Sequence, residues 1–216
     1  MHCIGAHQQG KVNCLAISPD GKLIVSGGSN KTIKLWNLGS TETRSVDYLA
    51  TFTAHQLAVN QIVFNPIEGE VKFASVSSDR QVILWGIEST SPLSIFTAHT
   101  QSVKAIAFSP DGKLLATAGD DGLIQLWGMD NFKLVRTISA HRWTISSLSF
   151  LADGDTLVSA SWDGNLKFWQ VTSGVEIDCL KTHDAEVLGM AICQQRQWIF
   201  TASRDRTAKI WQRLVS

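Results

Sequence analysis

Apolar and polar residues alternate with a period of two along most of the 216-residue chain, in runs of five to seven broken by short turns. Residues 102–127 show the pattern. "SVKAIAFS" reads as a strand, "SPDG" as a turn, "KLLATAG" as a second strand, "DDG" as a second turn and "LIQLW" as a third strand. The stretch "GMDNFKLVRTISA" that follows is looser and ends in a fourth short strand. Proline at position 110 presets its φ, and the glycines at 112 and 122 accept positive φ. No segment sustains an apolar period of 3.6, so helix content is expected to be close to nil.

The same pattern occurs five times. "LIVSGGSNKTIKLW", "FASVSSDRQVILW", "LATAGDDGLIQLW", "LVSASWDGNLKFW" and "IFTASRDRTAKIW" each close on a tryptophan, at positions 36, 85, 127, 169 and 211. The last three intervals are 42 residues and the first is 49. Four short antiparallel strands per such period is the size of one blade of a β-propeller. The expected fold is therefore all-β, with five four-stranded antiparallel blades.

Polar residues repeat in register with the strands. Each unit carries a histidine, a hydroxyl, a turn acid and the closing tryptophan. The sets are His7, Ser26, Asn30 and Trp36; His55, Ser75, Asp79 and Trp85; His99, Thr117, Asp121 and Trp127; His141, Ser159, Asp163 and Trp169; and His183, Thr201, Asp205 and Trp211. Asn30 is the one departure from an acid. Histidine, serine and aspartate together invite a hydrolase reading, but a triad is needed once, beside one oxyanion site, and no GxSxG elbow is present. A structural reading explains all five copies: a chain of hydrogen bonds links acid, imidazole, hydroxyl and indole N–H at the edge of an apolar blade. Metal binding fails on spacing, since each unit holds one histidine and no second ligand near it. No catalytic residue, metal or cofactor is expected.

Composition narrows the remaining classes. An apolar fraction of 44% argues for a folded chain. Nineteen basic and 19 acidic residues balance, so the basic excess of a nucleic-acid backbone binder is missing. Cys3, Cys14, Cys179 and Cys193 form no CxxC pair, and free thiols are the ordinary reading. No secretory signal pattern and no bilayer-length apolar run occurs. A soluble cytoplasmic protein, or a domain of a larger one, is the expectation.

The repeated elements resemble those of the WD-repeat (WD40-type) β-propeller family. "AH" at 6–7, 54–55, 98–99 and 140–141, or "TH" at 182–183, stands where the family carries "GH", and "SPDG" turns follow. The residue after each closing tryptophan is Asn37, Gly86, Gly128, Gln170 or Gln212, never the family's aspartate. The resemblance covers residues 7–211 and sets repeats at about 7–48, 55–92, 99–134, 141–176 and 183–216 within a single propeller domain. It implies that the outer strand of a repeat belongs to the blade before the next histidine, and places Phe52, Ile95–Phe96, Ile138 and Leu180 in outer strands. It also implies closure by a strand from the opposite terminus: residues 1–6, with Ile4, would complete the last blade and yield a monomer. The alternative is a five-repeat part of a larger propeller, since the family most often has seven blades. An open array would expose inner-strand edges and a terminal apolar face.

On such a scaffold, positions that break the repeat carry more information about binding than those that keep it. The residue before the turn acid is Ser29, Ser78, Asp120, Trp162 or Arg204, and the resemblance puts it near the top face. Trp162, Trp143 and Arg142 form a candidate aromatic and basic patch, with Asp120, Arg204 and Arg80 as further candidates for partner contact. Trp198, in "QQRQWIF", reads as a packing residue at the start of a strand. The expected function is a non-enzymatic scaffold that binds a protein or peptide, without nucleic acid or membrane. The alternative is a regulatory or sensor module excised from a larger protein.

Overall fold

A computed structural model describes residue 7 and residues 10–39, 46–67 and 72–212. The fold is a five-bladed β-propeller. The first sheet is β1 (Val12–Ile17), β2 (Leu23–Gly28), β3 (Ile33–Asn37) and β4 (Asp47–Phe52). The second is β5 (Val59–Phe64), β6 (Phe73–Ser77), β7 (Gln81–Trp85) and β8 (Pro92–Thr97). The third is β9 (Val103–Phe108), β10 (Leu114–Gly119), β11 (Leu123–Gly128) and β12 (Lys133–Ser139). The fourth is β13 (Ile145–Phe150), β14 (Thr156–Ser161), β15 (Asn165–Gln170) and β16 (Glu176–Lys181). The fifth shows three described strands, β17 (Val187–Cys193), β18 (Trp198–Ser203) and β19 (Ala208–Gln212). The expected closing strand at residues 1–6, with Ile4 and Cys3, lies outside the described residues.

The expected helix content holds among the described residues, where one three-residue 3-10 turn, Gln194–Arg196, is the sole helical element. It stands where the other repeats keep "SPDG"-like turns. In those turns Ser18 and Ser109 donate their hydroxyls to Asp20 and Asp111, each at 2.6 Å. In the fifth blade Gln194 does other work: its amide donates to the Phe150 carbonyl (2.8 Å) and accepts from the Ala152 N–H (3.0 Å), tying β17 to the turn of the blade before. Trp198 opens β18 half-buried, with the Arg196 guanidinium 5.2 Å from its ring centre.

Two bulges recur that alternation does not reveal. One lies at the start of the inner strand, between Val12 and Cys14, Val59 and Gln61, Ile145 and Ser147, and Val187 and Gly189. The other precedes the closing tryptophan where the third and outer strands pair, as between Leu35 and Trp36 or Phe168 and Trp169. A bulge adds local twist, so the tryptophan faces the core while its neighbours keep the ladder.

The chain divides into two compact units, residues 1–103 and 104–216. In the first, Val25, Ile33, Leu35, Phe52, Val59, Ile62, Phe64, Phe73, Ile83 and Trp85 form one buried cluster. Phe52 meets the Trp85 ring edge-on at 5.1 Å, and Phe73 stacks on it at 6.0 Å. Each such side chain contributes about 1.5–3 kcal/mol by leaving water. Cys14 is a free thiol at the margin of this cluster, and burial pushes its pKa up to about 12. In the second unit one cluster joins β10 and β11 to β13, and another joins β14 and β15 to β17.

Neighbouring blades are also joined through the backbone. Gly164, at φ +83° in the turn between β14 and β15, offers its carbonyl to the N–H groups of both Thr182 and His183, each at 3.0 Å. The side chain of His183 then reaches into the fifth blade.

Candidate functional site

In the fourth blade the donors run in one direction. The Trp169 indole N–H donates to Ser159 Oγ (2.9 Å), the Ser159 hydroxyl to His141 Nε2 (2.8 Å), and His141 Nδ1–H to Asp163 Oδ2 (2.8 Å). The second blade repeats this through Trp85, Ser75, His55 and Asp79 at 2.8, 2.8 and 2.9 Å. The fifth does so through Trp211, Thr201, His183 and Asp205 at 3.1, 2.7 and 2.7 Å. In the first blade Asn30 Oδ1 takes the acid's place at 2.9 Å from His7 Nδ1, Ser26 stands 3.0 Å from Nε2, and the Trp36 N–H reaches Ser26 at 3.4 Å. In the third, the Trp127 indole donates to Thr117 (3.1 Å); His99 is buried and Asp121 half-buried.

These sets do not perform catalysis. Ser75, Thr117 and Ser159 are fully buried, and in the second and fourth blades the hydroxyl proton is directed at the imidazole while its oxygen takes the indole N–H, so no substrate carbonyl can reach it. Among the described residues no three His, Cys, Asp or Glu side chains gather in a group that could hold a metal ion. Burial alone would raise Asp79, but the His55 ring N–H and the amides of Gln56 and Gln81 outweigh it and bring the carboxyl down to about 2. Asp163 is likewise held below the usual carboxylate range, burial being outweighed by the His141 hydrogen bond and charge. The Thr207 hydroxyl is the chief cause of the low Asp205, with His183 adding to it against a desolvation cost.

The irregular positions sit on the turns that these networks fix. In the second unit, Asp120 precedes the third blade's turn acid and reaches the next blade, accepting from the Thr144 hydroxyl at 3.0 Å. Lys104 stands 3.7 Å from the same carboxylate. Trp162 holds the corresponding place in the fourth blade, with its backbone N–H bonded to the Thr144 carbonyl (2.9 Å) and its side chain 37% exposed. Its ring neighbour is Arg204, the equivalent residue of the fifth blade, whose guanidinium lies 6.0 Å from the ring centre. Arg204 also pairs with Glu186 at 3.1 Å. Trp143 is 63% exposed, and its carbonyl accepts from the Ser161 hydroxyl at 3.4 Å. Arg142 lines an open groove of about 550 Å³ with Asp121, Asp163, Asn165 and Lys167. Arg80 belongs to the first unit, exposed at φ 72° in the second blade's turn.

The candidates of the second unit therefore form a row on successive blades: Lys104, Asp120 and Thr144, then Trp162, Arg204 and Glu186, with Arg142 and Trp143 on the intervening segment. Charged groups and aromatic rings alternate along this row. Lys104, Thr144 and Glu186 escape sequence reasoning, because each sits at a strand entry that looks ordinary within its own repeat. Among the described residues no helix is long and apolar enough to cross a membrane.

Comparison with known proteins gives the same architecture. Residues 110 long at 36% identity match the nuclear distribution protein PAC1 of Meyerozyma guilliermondii, covering 46% of this chain and 21% of that protein. Protein HIR1 of Kluyveromyces lactis is 28% identical over 123 residues, covering 52% of this chain and 14% of that protein. The WD repeat-containing protein WDS homolog of Arabidopsis thaliana is 29% identical over 113 residues, covering 51% of this chain and 21% of that protein. Each match thus spans about half of this chain and less than a quarter of a longer relative. The family described as the IFT122 first β-propeller matches residues 2–215, nearly the whole length, and the chain belongs to it.

Proposed function

We infer that the chain is a protein-interaction scaffold of WD-repeat type, and that its partner meets the row of turn residues on the third to fifth blades. One observation carries the reading: Trp162, a large ring 37% exposed, stands on a turn whose backbone is hydrogen-bonded on both sides, beside the Arg204 guanidinium. A ring on a fixed base loses little conformational freedom when a partner covers it, which is why tryptophan and arginine are enriched at binding hot spots. The repeated polar networks support the reading by stiffening the turns below. The partner is a protein or peptide; the balanced charge of 19 basic and 19 acidic residues offers nothing particular to a nucleic-acid backbone.

The test measures two quantities on purified Trp162→Ala. Capture of a partner from source cells should weaken by more than about 1 kcal/mol, while the melting temperature stays near that of the parent. A lower melting temperature with unchanged capture would reverse the assignment and make Trp162 a packing residue.

A second reading is a propeller module within a larger multidomain protein. The relatives' greater length favours it, since the matches cover 14 to 21% of the three named above. The size of the native protein on an immunoblot from source cells separates the two.

A further inference from the structure

Serine precedes proline at three places in the chain, 18–19, 91–92 and 109–110. Two of them open "SPDG" turns, and there Ser18 and Ser109 are buried, at 8% and 2% exposure. Each hydroxyl donates to the turn aspartate, Asp20 or Asp111, at 2.6 Å. Each also accepts the N–H that opens the next strand, from Leu23 or Leu114, at 2.9 Å. The serine N–H returns a bond to the carbonyl of the same leucine, again at 2.9 Å. Neither oxygen is open to an incoming reagent, and neither turn can straighten without losing all three bonds.

Ser91 differs in each respect. It ends the segment 86–91 between β7 and β8, where residues 88 to 91 are all exposed. Its N–H donates to Ser89 Oγ at 3.1 Å. Pro92 opens β8, the outer strand of the second blade, opposite Trp85. At the first position of an outer strand a proline removes no ladder bond, and it holds the residue before it extended. The chain around Ser91 can therefore enter a cleft that binds extended peptide, with little pairing to lose.

A cation borders the same loop. Lys72, Glu88, Ser89 and Ser91 line one open groove of about 350 Å³. The Lys72 N–H donates to the Trp85 carbonyl, and the Lys72 carbonyl accepts from the Asn65 N–H, each at 2.8 Å. Its ammonium is thus carried on a backbone fixed from both sides.

We propose that Ser91 is a phosphorylation site for a protein kinase that requires proline after its target, and that Lys72 holds the phosphate in this groove. The phosphoryl donor is a nucleoside triphosphate. Ser91 Oγ forms a bond to the γ-phosphorus while the bond from that phosphorus to its bridging oxygen breaks. The nucleoside diphosphate leaves, and the hydroxyl proton passes to a base of the kinase. Proline selects Ser91 over its neighbours Ser89 and Thr90, which are followed by other residues. The product carries about 1.5 to 2 negative charges at neutral pH. Glu88 opposes that charge, and Lys72 offsets it with a charge-assisted hydrogen bond.

The test uses the full chain and three synthetic peptides, one around each Ser-Pro pair, with a proline-directed kinase and ATP. Peptide mass spectrometry reads the sites. All three peptides should accept phosphate. In the folded chain transfer should be confined to Ser91, and Ser91→Ala should bring incorporation to background. Absence of transfer to Ser91 in the folded chain overturns the site. Transfer to Ser18 or Ser109 in the folded chain at a comparable rate overturns the argument from burial, as does a Ser18 or Ser109 peptide that accepts no phosphate. Phosphorus NMR of the modified chain then tests Lys72. The second ionisation of phosphoserine, at about 6 when alone, should lie lower in the parent than in Lys72→Met, a variant that keeps both backbone bonds of residue 72. Equal values in the two overturn the pairing with Lys72.

Discussion

His141 donates to a carboxylate at Asp163 across 2.8 Å, whereas His7 donates to a neutral amide at Asn30 across 2.9 Å. The two contacts are alike in geometry and differ in charge. Asp163→Ala should lower stability by about 1–3 kcal/mol, the range for a buried polar group left without its partner. Asn30→Ala should cost less, since a charge-assisted hydrogen bond is roughly twice as strong as a neutral one. Denaturant titration of both variants checks this, and equal losses would remove the charge from the explanation.

Asp79 links stability to pH. Its carboxyl sits at about 2 in the folded chain, below the value of about 3.9 expected when unfolded. The folded state therefore binds fewer protons over this window. The stabilisation is complete above about pH 4 and is lost as pH falls toward the folded value of about 2. Asp79→Asn should flatten this acid limb while changing the slope near neutrality little. Urea midpoints measured down the acid range give the comparison, and parallel curves for parent and variant would exclude Asp79 as a source of the limb.

Gly164 and Gly21 share a left-handed backbone, at φ +83° and +72°. Their surroundings differ. A Cβ on Gly164 would collide with the His183 carbonyl oxygen, while one on Gly21 meets nothing within 4 Å. Alanine at either site carries backbone strain of about 1–3 kcal/mol, and only at Gly164 does a steric term add to it. Gly164→Ala should thus be the more destabilising in thermal melts. The reverse order would mean that the turn relaxes away from His183 without cost.

Trp162 and Arg204 should be coupled. A double-mutant cycle with Trp162→Ala and Arg204→Ala should give an interaction energy of about 0.5–1 kcal/mol, as for an exposed cation over a ring. Glu186 competes for the same guanidinium at 3.1 Å, so Glu186→Gln should increase the coupling. A cycle that closes to zero would place the guanidinium on Glu186 alone in solution.

Blade number and strand order are legible in the sequence because they depend on local alternation, and each repeat writes its turn chemistry in full. The hydrogen-bonded sets are legible for the same reason: Asp163 lies six residues before Trp169 and Ser159 four residues before Asp163, distances that two hairpins translate directly into contact. The neighbours of the candidate surface are not. Trp162 meets Arg204, a residue one repeat away, and Asp120 meets Thr144 at the start of the next inner strand. Such contacts depend on the angle between adjacent blades, which no pattern inside one repeat encodes. The bulge before Trp169 is hidden too, since Phe168 and Trp169 read as continuous strand. Gln194 falls in the same class: its two hydrogen bonds to the preceding blade replace a turn motif with contacts made across the fold.

The carbonyl of Gly164 holds the amides of Thr182 and His183, and the His183 imidazole holds Asp205 and Thr201. One histidine is thus fastened by its backbone to the fourth blade and by its side chain to the fifth. A repeat array whose units touch only through apolar packing melts by fraying from its ends, each unit nearly independent. A rivet shared between units raises the cost of losing one while its neighbour stands. The fourth and fifth blades should accordingly open as a single cooperative unit in native-state exchange, with the His183 amide lost together with the ladder of β18 and not before it.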